Sequence, residues 1–112
     1  MPREYRQYFD DIIEAGERIA EYTSGMDEGA FREDRKTQDA VIRNLAIIGE
    51  AARSLPPHVR DQTPTIEWRK IIGLRNILIH EYSGVNIAII WDVITNHLPK
   101  LTKEVKSLLK EN

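Results

Sequence analysis

The sequence has no cysteine among its 112 residues. This absence excludes a disulfide framework and thiolate metal sites, and it fits a reducing compartment, so we expect a cytoplasmic protein. The apolar runs all fall short of the roughly 18 residues that indicate a membrane span. The N-terminal segment MPREYRQYFDD is too charged for a secretory signal, so no membrane association is expected.

The sequence also has little that favours β-structure or several domains. It shows no alternating apolar pattern bounded by turn residues and no internal repeat, which favours an all-α fold. A chain of this length fits a single domain, residues 1–112, with 41% hydrophobic and 30% charged residues. Three separated histidines make poor metal-ligand spacing, so neither a metal nor another cofactor is expected.

Positive charge is in modest supply, because the formal net charge is −2. General nucleic-acid binders are usually basic, so DNA is not an expected partner. The sixteen lysines and arginines can nevertheless cluster at a local phosphate site.

Apolar residues at helical spacing predict a first helix over residues 3–23, one short turn at 27–31, and a long helix from an Asp34 N-cap to about Leu55. The long helix has apolar residues at 4-3-4-3 spacing, typical of packing between antiparallel helices or across a dimer. They are Val41, Leu45, Ile48, Ala52 and Leu55.

Pro56 and Pro57 are expected to end that helix, and residues 56–65 are expected to form a connector with one helical turn at 58–62. Thr63 or Thr65 is expected to cap the next helix, which begins at about Ile66 and ends at Ser83 and Gly84. Asn86 is then expected to cap a fourth helix. Pro99 either kinks that helix or begins a separate last one.

The helix that begins at about Ile66 is apolar over most of its circumference, which predicts a central helix, either buried on several sides or shared with a second subunit. The apolar stripe also contains Arg75, and Trp68 is expected in the core rather than stacked on a base. Opposite this stripe is a narrow polar strip that we expect to line a cleft. It consists of Arg69, Gly73, Asn76 and His80. Because Gly73 has no side chain, another group is expected to approach there.

The segment RNILIHEY contains Arg75, then His80 after four residues, then Tyr82 after one more. This spacing resembles the R-x4-H-x-Y signature of the HepT-like toxins, a branch of the HEPN superfamily of small, all-helical, metal-independent ribonucleases. Asn76, directly after the arginine, fits the wider HEPN pattern. The resemblance extends to TQDAVIRNLAIIGEAA, WRKIIGLRNILIHEY and WDVITNHLPKL. One departure is Glu67, where many relatives have proline; it affects the helix start, not the chemistry.

The resemblance implies an all-α, HEPN-like antiparallel helical bundle that forms a homodimer, with RNA as substrate and a composite site at the dimer interface. It also implies a type VII-like toxin–antitoxin system. The partner would be an MntA-like nucleotidyltransferase antitoxin that transfers AMP to the tyrosine of the motif, here Tyr82.

The residue types suit this chemistry. Histidine titrates near neutral pH, so His80 can act as the acid or the base. Arg75 has a planar donor fork that fits phosphate oxygens, and Asn76 can orient the histidine or hold phosphate or ribose. Tyr82 can donate to the phosphate or stack on a base. The expected product is a 2′,3′-cyclic phosphate.

Structural interpretations of the same residues remain open. His80 can be a helix-end histidine stabilised by the helix dipole, and Arg75 can be an ion-pair partner of Glu50 or Asp92. Arg43 and Glu50 lie seven residues apart on one helix face, where they either line the cleft or form solvated ion pairs. The whole chain can also be a non-catalytic module that binds nucleotides or a nucleotidyltransferase. A purely structural dimerisation domain would have no use for the motif.

Overall fold

The computed structural model describes residues 3–80 and 86–110, and side chains for 4–78 and 86–110. Its elements in chain order are α1 (Arg3–Tyr22), α2 (Glu28–Arg32), α3 (Arg35–Ser54), α4 (Pro57–Arg60), α5 (Trp68–His80), α6 (Ile87–Asp92), a π-helical segment (Val93–His97) and α7 (Leu98–Lys110). No β-strand occurs within these two ranges. The predicted all-α fold class is confirmed.

Helix α3 is the centre of the fold. α1 packs along it extensively, α5 packs on it almost as extensively, and α7 lies against α1. The predicted stripe on this helix, from Val41 to Leu55, is buried throughout. Each such aliphatic side chain stabilises the fold by about 1.5–3 kcal/mol relative to an exposed one. The stripe predicted from the sequence is therefore the main core surface.

The predicted N-caps are confirmed at two helices. The side chain of Asp34 accepts hydrogen bonds from the backbone N–H of Thr37 at 3.0 Å and from its hydroxyl at 2.7 Å. These bonds favour the charged carboxylate and lower the pKa of Asp34 below its ordinary value. The side chain of Asn86 accepts from the backbone N–H of Ala88 at 2.8 Å at the start of α6. Both caps satisfy helix donors that would otherwise lack a partner.

α5 begins at Trp68, two residues after the predicted start at about Ile66, and the predicted cap at Thr63 or Thr65 is wrong. The hydroxyl of Thr63 accepts a 2.8 Å hydrogen bond from the indole Nε1 of buried Trp68, and the hydroxyl of Thr65 donates to Glu104. Both threonines are therefore engaged elsewhere and do not serve as the cap. The physical reason is that a buried indole N–H needs an acceptor. The predicted helix end at 83–84 lies outside the described residues.

The chain continues without a break from α6 through the π-helical segment into α7, where Pro99 is the second residue. Proline is tolerated in the first turn of a helix because that turn does not use its N–H. Pro99 therefore lies in the first turn of α7, as one alternative predicted, but α7 is not separate, because the helical backbone runs on from the π-helical segment through Leu98.

Of the two predicted surroundings of α5, burial on several sides is not what a single chain shows, and sharing with a second subunit stays a prediction. α5 packs mainly on α3, and among its described side chains Ile77 is 49% exposed while Ile71, Ile72 and Leu74 are only partly buried. The described part of the chain therefore leaves apolar surface of α5 uncovered. Within the described ranges, no helix combines the length and the apolar character that a membrane span needs.

Candidate functional site

Arg75 projects from α5 at the point where that helix comes closest to α3. The close approach is possible because α3 has a glycine there. A Cβ built on Gly49 would overlap the Cβ of Arg75 and would lie 2.7 Å from its Cγ and 3.2 Å from its Cα. Real Cβ atoms do not tolerate such separations, so the stem of Arg75 depends on the absence of a side chain at Gly49.

The guanidinium of Arg75 is held at both of its terminal nitrogens. Nη2 forms an ion pair with Oε2 of Glu50 at 2.7 Å, and Nη1 donates to Oδ1 of Asn76 at 2.9 Å. The side chain is only 16% exposed, and its buried Nε has no hydrogen-bond partner among the described residues. Arginine remains protonated at all ordinary pH values, so the site contains a permanent, oriented cation.

The contact between Arg75 and Asn76 differs from the helical geometry that the sequence suggested. Helical spacing predicts Arg75 in the apolar stripe of α5 and Asn76 in the polar strip opposite. In the structure their side chains meet through the 2.9 Å hydrogen bond. The long aliphatic stem of an arginine allows its head to reach beyond the face where the residue begins.

The ion-pair interpretation of Arg75 is confirmed with one of its two proposed partners. Glu50 makes the contact, whereas Asp92 instead interacts with Nε2 of His97 at 3.3 Å and accepts from Asn96 at 2.7 Å. The carboxylate side chain of Glu50 is 52% exposed. An exposed anion next to a mostly buried cation is compatible with a structural ion pair and with a site that binds phosphate.

The other cleft candidates lie apart from this cluster. Gly73 lines a cavity of about 690 Å³ between α5, the π-helical segment and α7, and Arg69 lines a second cavity of about 570 Å³ beside α4. Arg43 is exposed and lines neither cavity. Among the candidates whose side chains are described, the structure thus brings Glu50 and Asn76 to Arg75. Nothing in the described part of the chain lies within 4 Å of a Cβ built on Gly73, so the expected close approach is not met there.

The 690 Å³ cavity has both apolar and charged lining residues. Its apolar lining comes from α3, α5 and the last two helical elements, and includes Leu45, Ile48, Leu74, Ile77 and Leu101. Its charged lining includes Lys70, whose Nζ forms a 2.7 Å ion pair with Glu67. That hydrogen bond is the main reason that the pKa of the Glu67 carboxyl lies below its ordinary value.

His80 is the last residue of α5, and its side chain is not among those described. Tyr82 lies outside the described residues. Among the side chains that are described, no group of three His, Asp or Glu residues is placed to hold a metal ion.

The residue that sequence reasoning missed is Gly49. A signal for it was present, because an isolated glycine inside a helical pattern usually marks a close contact. The sequence did not reveal which side chain makes that contact.

Comparison with known proteins identifies the family. The family model for HepT-like ribonucleases matches residues 12–108. A candidate RNase of Methanocaldococcus jannaschii, MJ0127, is 39% identical over 112 residues, which cover 99% of this chain and 93% of that protein. A probable ribonuclease HepT of Thermococcus cleftensis is 39% identical over 110 residues, 98% of this chain and 100% of that protein.

A more distant relative is the mRNA nuclease HepT of Shewanella oneidensis, 27% identical over 96 residues, which cover 64% of this chain and 72% of that protein. No solved structure matches the chain. The family match and the two relatives that align over nearly the whole chain confirm the resemblance read from the motif: this protein belongs to the HepT-like ribonuclease family of RNA-cleaving enzymes.

Proposed function

We propose that the protein is a metal-independent endoribonuclease toxin whose catalytic residues are Arg75 and His80. The observation that carries the proposal is the state of Arg75, a mostly buried guanidinium fixed at the α3–α5 contact five residues before His80. Such a preorganised cation can stabilise charge that develops on a phosphate, without first having to reorganise.

The reaction that we propose is an internal transesterification of RNA. The ribose 2′-oxygen attacks phosphorus and loses its proton to a base, while the bond to the 5′-oxygen breaks and that oxygen gains a proton from an acid. The products are a 2′,3′-cyclic phosphate and a free 5′-hydroxyl. His80 is the acid or the base, Arg75 stabilises the charge on the equatorial oxygens, and Asn76 assists in holding the phosphate or ribose.

The proposed active site contains two copies of the chain. On an ideal helix, residues five apart point about 140° away from each other, which favours a site in which Arg75 and His80 come to one phosphate from different copies. The partly uncovered apolar face of α5 supports a second copy there, since Ile77 is 49% exposed; on the neighbouring helix in sequence, α6, Ile89 is 57% exposed. A stable interface of this kind buries roughly 1,200–2,000 Å² in total.

Light scattering at micromolar concentration tests the dimer, and we expect twice the mass of the chain. Ile77→Glu should shift the protein toward monomer, because it places charge in the proposed interface. Tyr22→Glu is the matched control, since Tyr22 is 40% exposed on α1, away from α5. A folded wild-type protein that remains monomeric would contradict the shared site.

Catalysis is tested by replacing each proposed catalytic residue. Arg75→Ala and His80→Ala should each reduce RNA cleavage by about 10²- to 10⁴-fold and remove toxicity on expression, while the helical circular dichroism remains. Arg18→Ala is the control, because Arg18 lies on α1 in an exposed pair with Glu14. Wild-type cleavage should persist in EDTA. Loss of cleavage in EDTA and its return with magnesium would contradict the metal-independent mechanism.

We also propose that an MntA-like nucleotidyltransferase neutralises the toxin by transferring AMP to the hydroxyl of Tyr82, as in a type VII-like toxin–antitoxin system. The transfer joins the tyrosine oxygen to the α-phosphorus of ATP and releases pyrophosphate. Support comes from the motif position of Tyr82 and from the fixed cation at Arg75, which can hold the added phosphate and so exclude RNA. RNA and ATP are both cytoplasmic, and we place the reaction there.

Incubation with the transferase and ATP should add about 329 Da per modified site, the mass of an AMP residue, to wild type but not to Tyr82→Phe. Modified protein should lose RNA cleavage. A mass shift that maps to Tyr5, Tyr8 or Tyr22, or modified protein that cleaves RNA at the unmodified rate, would contradict this regulation.

A second candidate function is favoured by one observation. The Arg75 guanidinium is already engaged by Glu50, as in a purely structural ion pair, which suits a non-catalytic module that binds nucleotides or a nucleotidyltransferase. Such a module would neither cleave RNA nor poison cells when expressed alone. Wild-type cleavage that Arg75→Ala abolishes excludes it.

A further inference from the structure

We propose that Glu50 is a positioning residue for Arg75. It fixes the orientation of the guanidinium for a phosphate and does not itself contact the reacting atoms. The inference rests on the proposed ribonuclease function and extends it to a residue on a different helix, 25 positions earlier in the chain. It assigns the exposed carboxylate on α3 a role in the rate of the reaction.

The geometry around the guanidinium leaves little choice in how a phosphate can approach. Each terminal nitrogen of an arginine has two hydrogens and Nε has one. Glu50 accepts from Nη2 and Asn76 accepts from Nη1, while Nε is buried and inaccessible to a ligand. A phosphate must therefore use the remaining hydrogens of the two Nη atoms, and their direction is set by the plane of the guanidinium.

Three contacts determine that plane. The stem of Arg75 lies against Gly49, the head is fixed at one edge by Glu50 on α3, and it is fixed at the other edge by Asn76 on α5 itself. Of these contacts to the head, only the one with Glu50 spans two helices. Because both helices contribute, the guanidinium is ordered by folding and loses little freedom when RNA binds.

The charge of Glu50 separates positioning from substrate binding. An anion that is 52% exposed beside the proposed phosphate site repels the RNA backbone. Removing the charge should therefore leave RNA binding unchanged or tighter. It should at the same time slow cleavage, because the guanidinium loses its fixed direction. A residue with a merely structural role would not produce these opposite effects.

The test uses Glu50→Gln, which keeps the shape and an acceptor oxygen, and Glu50→Ala, which removes both. Single-turnover cleavage at saturating protein should fall by about tenfold for glutamine and by about a hundredfold for alanine. The Kd for an oligonucleotide with 2′-deoxyribose at the cleavage position, which cannot react, should not increase. Protein melting temperature is recorded for every variant.

Two matched controls isolate the Arg75 contact. Glu28→Gln removes the charge of another glutamate, 48% exposed, which pairs with Arg32 at 3.0 Å on α2. Arg53→Gln removes the other cation near Glu50, at 3.8 Å, without altering the link to Arg75. Both controls should cleave at the wild-type rate.

An activity-independent measurement follows the guanidinium itself. In ¹⁵N NMR at low temperature, a fixed guanidinium gives separate Nη resonances, whereas one that rotates freely gives an average. Arg75 should show separate resonances in wild type and averaged ones in both Glu50 variants. This measurement tests positioning even if the wild-type protein does not cleave RNA, in which case the proposed function fails by itself.

Several results would overturn the inference. A faster single-turnover rate in Glu50→Gln would show that Glu50 occupies the place of the phosphate rather than positioning the cation. Unchanged cleavage, or unchanged Arg75 resonances, would show that Asn76 and Gly49 suffice. A parallel loss of rate, RNA affinity and melting temperature would show a structural role alone.

Discussion

The two sides of α3 differ in how completely they are covered. On the side of α1 the interface is closed, with Phe9, Ile12 and Ile19 fully buried. On the side of α5 the apolar surface is only partly covered. Ile77 is 49% exposed and lines a cavity of about 690 Å³. α5, which is apolar over most of its circumference, is therefore less completely covered than α1. Apolar content indicates how much surface a helix must bury, but not whether the same chain buries it.

Two glycines differ in the same way, in whether space for a side chain is available next to them. Gly49 on α3 faces the backbone and stem of Arg75 with no space for a methyl group, whereas Gly73 on α5 faces open space. One glycine is required by a contact within the chain. The other has no such contact among the described residues.

The largest expected difference is in the loss of unfolding free energy when a buried apolar residue and an exposed apolar residue are each replaced by alanine. Phe9→Ala, on the closed side, should reduce the free energy of unfolding by about 3–5 kcal/mol because it leaves a cavity. Ile77→Ala, on the open side, should cost less than about 1 kcal/mol at low protein concentration. Urea denaturation measures both. A similar cost for Ile77→Ala at concentrations too low for association would show that α5 is buried within one chain.

Gly49→Ala is expected to cause the next largest loss of unfolding free energy. The added methyl group overlaps the stem of Arg75, so α3 and α5 must separate, and overpacking of this kind costs about 1–3 kcal/mol. RNA cleavage should fall as well, because the guanidinium moves with its helix. Chemical denaturation and single-turnover cleavage measure the two effects. Wild-type stability together with wild-type cleavage would contradict the close contact.

Gly73→Ala is the matched substitution on the open side. In a helix interior with free space, alanine is favoured over glycine by up to about 1 kcal/mol. The monomer should therefore become slightly more stable in urea. If a second copy packs on this face, the same substitution should weaken association, which light scattering across a dilution series detects. A destabilised monomer would show that the space beside Gly73 is filled.

Much of the fold was predictable because it depends on local features. The α3 core stripe follows from spacing alone, and the caps at Asp34 and Asn86 follow from side chains that bond to amides a few residues away. The resemblance of the RNILIHEY segment supplied the family, which the comparisons confirm. These features need no knowledge of how helices are arranged in space.

The rest required the arrangement of the helices. The link from Arg75 to Glu50 depends on where α5 crosses α3, which helical periodicity does not specify. Threonine is a residue type that commonly caps helices, but the hydroxyl of Thr63 instead accepts a hydrogen bond from the buried indole N–H of Trp68. The sequence also left two surroundings open for α5, burial within the chain or contact with a second subunit, because an apolar surface shows how much a helix must bury and not which chain covers it.

The smallest expected effect concerns the N-cap of α3 and the dependence of its stabilising effect on pH. Hydrogen bonds from Thr37 lower the pKa of Asp34 in the folded protein below the unfolded value of about 3.9. Its contribution to stability is therefore present above that pH and is lost as the pH falls through the folded pKa. Asp34→Asn keeps an effective N-cap but does not titrate, so it should match wild type closely at pH 7 and lose less stability below about pH 4. Thermal melts from pH 7 to pH 2 measure this, with Asp10→Asn as the control in the exposed middle of α1. If the two variants follow the same acid profile, the cap at Asp34 does not contribute to the acid sensitivity of the fold.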